Sequence, residues 1–301
     1  MKEKSPLVVI CCCTYNHIDY IRQCLDGFVM QKTIFRFVAV VHDDFSTDGT
    51  TKILQEYSEK YSDIIIPIYE EENQYSKHDG SLERIINDAV RSTEAKYIAF
   101  CEGDDYWTDP YKLQKQVDFM ESHPEFSMCF HSVDVQLEEN LDSNIQMNIK
   151  SGEYSPREIY ERWIVPTCSV LHRRGLSLNS FEKVVFGDIY RFVSLGYLGK
   201  IFCLDMKSAV YRRHKEGASV NLSPLTLMRL YKQYAFFEKL WPDLADISIK
   251  KKREYLEYLS YCGYSKEVWK YRYRWMFAHP SKFFSKYHLR TLLFVYYDIT
   301  R

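Results

Sequence analysis

The sequence predicts an α/β fold, a mostly parallel central sheet flanked by helices, with a C-terminal helical extension. Three observations predict it. Continuous apolar runs of strand length at residues 7–13, 37–41, 64–69 and 97–101 alternate with segments of helical periodicity, the rhythm of right-handed βαβ crossovers. Two of these runs end in adjacent aspartates, Asp43-Asp44 and Asp104-Asp105, at the carboxyl ends of strands where open α/β sheets build their ligand crevices. From Ser223 onward long helical patterns dominate, so the boundary is drawn near Asn221, with one domain over 1–221 and an extension over 222–301.

Each element has its own signal. After the first strand, Thr14-Tyr15-Asn16-His17 is a polar break, and Ile18, Ile21, Leu25, Phe28 and Val29 then repeat at helical spacing. The second strand closes in His42-Asp43-Asp44-Phe45-Ser46-Thr47-Asp48-Gly49-Thr50, where Asp48 or Thr50 is placed to cap a helix with Ile53, Leu54 and Tyr57 on its core face. Leu82, Ile85, Ile86 and Ala89 mark the next helix. Pro110 sits in the expected first turn of a helix whose core face is Leu113, Val117 and Met120. Residues 126–137 alternate like a strand, 134–155 are polar and expected to form a loop over the site, and 165–173 form another strand. Gly187-Asp188 opens a helix, and 199–204 and 209–212 are expected as two short strands.

Composition bounds the class. Hydrophobic residues at 46% and charged residues at 27% fit a globular protein, and 11 glycines with 9 prolines argue against low complexity. The net charge of −1 conceals an asymmetry: residues 250–301 hold twelve Lys/Arg against four Asp/Glu, so the first 249 residues carry −9. Fifteen of the 48 aromatics also lie in that last segment, whose composition suits an anionic membrane surface or an exposed helical bundle equally well. The nine cysteines form no CxxC pair and sit largely in apolar runs, as free thiols in a reducing compartment would. The charged start runs straight into a strand without a signal-peptide core, and no run of about 18 apolar residues occurs. A cytoplasmic protein, peripheral on the inner face of the cell membrane, is the expectation.

Adjacent aspartates repel each other and lose hydration at a strand end, so the pairing needs compensation. A divalent cation holding a diphosphate supplies it most simply, and hard oxygen ligands suit Mg2+ or Mn2+. A turn that merely ends the strand is the plainer alternative. The first turn, Cys13-Thr14-Tyr15-Asn16, has no glycine where a dinucleotide fingerprint would need one, and no Walker A loop occurs. A nucleotide would therefore be held by side chains and a metal.

Taken in order, four stretches resemble the family 2 glycosyltransferases, inverting enzymes of the GT-A fold. They are Thr14-Tyr15-Asn16, Asp43-Asp44-x-Ser46-x-Asp48-Gly49-Thr50, Asp104-Asp105-x-Trp107 with Pro110-x-Lys112-Leu113, and Tyr211-Arg212-x-His214. The resemblance covers residues 7–219. It implies a nucleotide-sugar donor, UDP-linked, lying across the strand ends, with Tyr15 flanking the base, Thr14 and Asn16 lining the same wall, Asp44 accepting from the uracil ring and Asp43 near the ribose. It further implies Asp105 as the direct ligand of Mn2+ or Mg2+, with Asp104 toward the ribose or a metal-bound water and His214 completing the metal shell. Asp188 matches the family's catalytic base, which takes a proton from an acceptor hydroxyl while the sugar is transferred with inversion. The alternative for Asp188 is a helix cap. The arginine-type donor contact often found before the fourth strand falls among Lys77, His78, Ser81 and Arg84 without a clear register. A glycan or polyprenyl-linked acceptor of a bacterial surface-polysaccharide pathway is implied, and no nucleic acid. Two other readings stand beside this one: a metal-dependent nucleotidyl- or phosphotransferase, and a non-catalytic glycan- or membrane-binding module.

Overall fold

The computed structural model describes residues 5–139, 149–175, 180–217, 220 and 222–261. These divide into two compact units. One holds the residues up to Glu182 together with Phe186–Val220, the other Lys183–Val185 and the described residues from 222 onward.

The first unit opens with β1 (Val8–Thr14), α1 (Ile21–Val29), β2 (Phe37–Asp43), α2 (Thr50–Lys60), β3 (Ile65–Tyr69), α3 (Ser81–Ser92) and β4 (Tyr97–Phe100). It continues with β5 (Tyr106–Trp107), α4 (Lys112–Ser122), β6 (Phe126–Leu137), β7 (Gly152–Tyr154), α5 (Pro156–Arg162), β8 (Leu171–Arg173), α6 (Gly187–Gly196) and β9 (Lys200–Arg213). All nine strands belong to one sheet of order β3-β2-β1-β4-β8-β6-β9-β5, with β7 on β9. Parallel pairing predominates: β3-β2-β1-β4 is parallel throughout and β6 runs parallel to β9, while β8, β5 and β7 join antiparallel.

β2 is buried at every position and β1 at all but Cys13, because helices cover both faces. One face packs Val8, Ile10, Ala39 and Val41 against Ile21, Leu25 and Phe28 of α1, Leu54 of α2 and Leu113 and Val117 of α4. Into this core reaches Trp107, whose indole N–H donates to the carbonyl of Cys168 at 2.8 Å and whose ring carries the buried Lys112 ammonium at 4.0 Å. Lys112 donates to Gln116 Oε1 at 2.7 Å, and burial pushes its ammonium down to about 8. The eight described cysteines are free thiols.

Several boundaries differ from expectation for local reasons. Ile18 lies before α1 and is exposed, because the N–H groups of His17 and Ile18 are taken by Thr50 and Asp48 instead of by a helical turn. Pro110 precedes α4, whose approach is fixed by the Asp109 carboxylate accepting from Tyr111 N. Residues 126–137 form β6 as their alternation predicts, so of the two overlapping expectations at 134–137 the strand holds, and 152–154 add the strand β7; residues 140–148 of the expected loop lie outside the described residues. Only 171–173 of the expected strand 165–173 are extended, since 167–169 make a 3-10 turn. The two short strands expected after α6 are one, β9. Its polar middle falls where the register jumps, His131 facing Leu204 but Ser132 facing Lys207, so a bulge absorbs what reads as a break.

The second unit is α7 (Pro224–Leu240) against α8 (Ala245–Tyr261). Ser223 caps α7 by accepting from Thr226 N at 3.1 Å, Tyr234 meets Tyr255 ring to ring at 5.7 Å, and Lys252 pairs with Glu238. Among the described residues no helix is long and apolar enough to cross a membrane. Residues 262–301, most of the basic aromatic segment, lie outside the described residues.

α1 meets β5 so closely that a Cβ on Gly27 would stand 2.9 Å from Trp107 N, a backbone atom. Gly27→Ala should destabilise the protein by about 1–3 kcal/mol through overpacking, read as a lower urea midpoint at unchanged slope. An unchanged midpoint would contradict this packing.

Candidate active site

The turn after β1 is strapped to the turn after β2. Asn16 adopts φ +53°, a left-handed conformation that asparagine tolerates. Its side-chain oxygen accepts from Thr47 N at 2.8 Å, while its own N–H donates to Ser46 Oγ at 2.9 Å. Asp48 accepts from Thr50 N and Ile18 N, both at 2.9 Å, so it caps α2 and crosses to the first turn at once. Asp43 is buried and accepts from Ser46 N, Ser46 Oγ and Thr51 Oγ1. Asp44 is buried too, and its two oxygens accept from Gln74 N at 2.7 Å and Tyr75 N at 3.0 Å, pinning the loop beyond β3 to the same edge. Tyr15 projects from this edge, 45% exposed, and Thr14 is buried with its hydroxyl unpartnered.

The turn after β4 comes against the tip of β1. Gly103 N donates to Cys13 O at 2.8 Å, and a Cβ on Gly103 would stand 2.6 Å from Thr14 Oγ1 and 2.9 Å from His17 Nδ1. Only glycine permits this approach. Beyond it the two aspartates part. Asp105 turns inward, buried, and accepts from Arg212 N at 2.8 Å; burial and then the Asp104 charge push its carboxyl well above the usual carboxylate range. Asp104 turns to His214, whose Nε2 lies 3.0 Å from Oδ2. Burial pushes the Asp104 carboxyl up, but the hydrogen bond from His214 and the nearby imidazole charges outweigh it and hold it below its ordinary value. The same bond raises His214. Arg212 fastens this arrangement: it donates to Asp104 O at 2.7 Å and to Gln23, and its guanidinium lies 4.3 Å from the Tyr106 ring.

His17, Asp104 and His214 form a cluster in which one ligating atom of each lies within 4.8 Å of the others. Their chemistry fits a divalent ion. His17 Nδ1 is buried without a hydrogen-bond partner, and burial lowers the imidazole below its ordinary value, keeping it in the neutral, ligating form. Sequence reasoning read His17 only as part of a polar break; its position one turn past a parallel strand tip was the available signal. Asp105 and the three-residue cluster occupy different surroundings, the first bonded to the Arg212 backbone, the second holding the Asp104–His214 pair beside the unpartnered His17 Nδ1.

Asp188 sits in the first turn of α6, where Phe186 is the cap residue and Asp188 Oδ1 accepts from Ile189 N at 2.8 Å. Burial pushes its carboxyl up to about 6, with that hydrogen bond and the Arg191 charge opposing. Glu102 lies in electrostatic reach of both Asp104 and Asp188, and burial followed by the Asp104 charge pushes it up to about 8. Of the residues before β4, Lys77 is bonded to Glu72 at 2.6 Å, Arg84 to the Asp79 carbonyl at 2.9 Å, and Ser81 Oγ is buried without a partner.

Three comparisons bear on this site. The family model described as "Glycosyl transferase family 2" matches residues 9–184, more than half the chain. The uncharacterized protein Rv1520 of Mycobacterium tuberculosis is 37% identical over 206 residues, 68% of this chain and 58% of that protein. The putative teichuronic acid biosynthesis glycosyltransferase TuaG of Bacillus subtilis is 35% identical over 146 residues, 48% of this chain and 54% of TuaG. The chain thus spans rather more than half the length of these relatives. Among solved structures, S. aureus TarS 1–349 in complex with UDP superposes with TM-score 0.56 at 17% identity over 84% of this chain and 72% of that one. The mannosyltransferase PcManGT of Pyrobaculum calidifontis with GDP-Man and Mn2+ gives 0.53 at 14% identity over 97% and 85%. Both likenesses establish the GT-A fold.

Removing Asp104 should release His214. In Asp104→Ala the His214 imidazole should titrate lower than in the unaltered chain, because the hydrogen bond and charge that favour its protonated form are gone. An NMR titration of His214 reads this directly, and an unchanged midpoint would contradict the pairing.

Proposed function

The chain belongs to glycosyl transferase family 2 and is a glycosyltransferase, and from that premise we propose that it transfers a sugar from a UDP-linked donor to a hydroxyl of a surface glycan or lipid-linked acceptor, with inversion. The observation that carries the reading is the His17, Asp104 and His214 cluster at the carboxyl ends of the strands, with Glu102 in electrostatic reach of both Asp104 and Asp188. Relatives and structural neighbours whose names refer to teichuronic acid biosynthesis, poly(ribitol-phosphate) glucosylation, UDP-GlcNAc and GDP-Man support a nucleotide-sugar donor and a cell-surface polymer as acceptor.

In this reading Tyr15 flanks the base, with Thr14 and the Asn16 turn lining the same wall. Asp44 offers each oxygen's remaining lone pair to a base N–H, and Asp43 holds the turn beside the ribose. His17, Asp104 and His214 would hold the metal, and two imidazoles beside a carboxylate favour Mn2+ over Mg2+. When bound, the ion neutralises charge on the diphosphate that leaves. Asp105, bonded to the Arg212 N–H, positions the turn that presents Asp104; this exchanges the roles expected for the two aspartates.

Asp188 accepts the proton of the acceptor hydroxyl as that oxygen bonds to the anomeric carbon and the bond to the diphosphate breaks on the opposite face. A base near 6 is ionised at neutral pH yet basic enough to share a proton in the transition state. Asp188→Asn should lower kcat by about 100- to 10,000-fold while leaving UDP binding intact. In the unaltered enzyme kcat should fall with protonation of Asp188 below about pH 6. Full activity in Asp188→Asn would remove it as the base.

The basic, aromatic segment of residues 250–301 is proposed to contact an anionic membrane surface. The full chain should float with anionic liposomes and a chain ending at 221 should not; equal flotation would overturn this contact.

A further inference from the structure

Among the described residues, one cation in electrostatic reach of Asp188 has ring contacts but neither hydrogen bond nor ion pair. Arg191 follows Asp188 by three residues on α6, which puts both on one helix face. Its guanidinium lies 4.9 Å from the ring centre of Phe100 and 5.3 Å from that of Phe181. Among the described residues it makes no hydrogen bond and no ion pair. The charges around it are Glu83 on α3, Glu102 on the β4–β5 turn and Asp188 on its own helix, with Cys11 and Cys13 of β1 and His172 of β8 also within electrostatic reach. Glu83 has no side-chain hydrogen bond to another residue, and Glu102 spends one oxygen on Cys13 N at 3.3 Å. Three side chains from three elements thus hold unspent hydrogen-bonding capacity, Glu83 in reach of Arg191, and Arg191 and Glu102 in reach of the proposed base. The two rings flank the guanidinium and restrict its freedom before any ligand arrives.

We propose that Glu83, Glu102 and Arg191 form the pocket that reads the transferred sugar, and that they select a neutral, hydroxyl-bearing sugar over a uronate. This rests on the glycosyltransferase reading above. A sugar hydroxyl both donates and accepts, so it matches a carboxyl beside a guanidinium fork. A lone arginine would instead invite a carboxylate bidentately. Here Glu83 and Glu102 both lie in electrostatic reach of Arg191 and set negative charge beside it, so a sugar carboxylate would meet like charge.

Calorimetric titration of the full chain with Mn2+ and, separately, UDP, UDP-glucose and UDP-glucuronate tests this. UDP-glucose should bind at least about tenfold more tightly than UDP-glucuronate, the order of effect expected when hydrogen bonds to charged groups decide selectivity. Glu83→Gln, on an accessible helix, should narrow that ratio, and Arg191→Met should weaken UDP-glucose about tenfold while leaving UDP unchanged. Equal binding of the two sugars, or variants that shift UDP as much as UDP-glucose, would overturn the pocket. Failure of UDP itself to bind the unaltered chain would overturn the proposed function, and the pocket with it.

Discussion

The bond between Asp104 and His214 joins residues 110 positions apart at the edge where the sheet's strands end. Acidic side chains collected at such an edge repel one another, and burial strips the water that would screen them. The imidazole offsets both effects for Asp104. For Asp105 the Arg212 N–H only opposes burial and the Asp104 charge, which still push that carboxyl well up, and the Arg212 side chain clamps the carbonyl between the two aspartates. β9 and His214 just beyond it are therefore held to the β4–β5 turn by polar contacts to both aspartates. The close approach of Gly103 to Thr14 and His17 then brings the tip of β1 into the same cluster.

Around that frame the carboxyls are driven apart in character. Asp104, hydrogen-bonded to an imidazole, is held below its ordinary value, whereas Asp188, half-buried with one backbone donor, rises to about 6. Pairs of acids separated this way by their surroundings suit a division of labour, one holding charge fixed and the other moving a proton. The helix N-terminus alone would have lowered Asp188; its burial wins.

Much of this was legible in the sequence. The apolar runs set β1 to β4 because a parallel strand buried on both faces has no polar alternation to hide it. Asp104 stood out because adjacent acids at a strand end are costly unless compensated, whereas His214 and Asp188 were singled out by the resemblance to the family. Three things were not legible. Which of two adjacent aspartates faces outward depends on the path of β9, which arrives more than a hundred residues later. The part played by His17 depends on how closely Gly103 approaches, a tertiary fact. The continuity of β9 was hidden because a long strand with a bulged register reads, locally, as polar and broken, and β7 lay inside the polar stretch expected as a loop. Asn16, Asp43 and Asp48 were legible as polar turn residues, but their bonds to Thr47, Ser46, Thr51 and Ile18 show them holding two turns together.

The central claim is that His17, Asp104 and His214 close on one divalent ion. The most direct measurement is electron–nuclear double resonance of the full chain loaded with Mn2+ and UDP. Nitrogen couplings from two imidazoles, together with phosphorus coupling from the diphosphate, are the result this arrangement requires. A spectrum with oxygen ligands only, and no imidazole nitrogen, would contradict it.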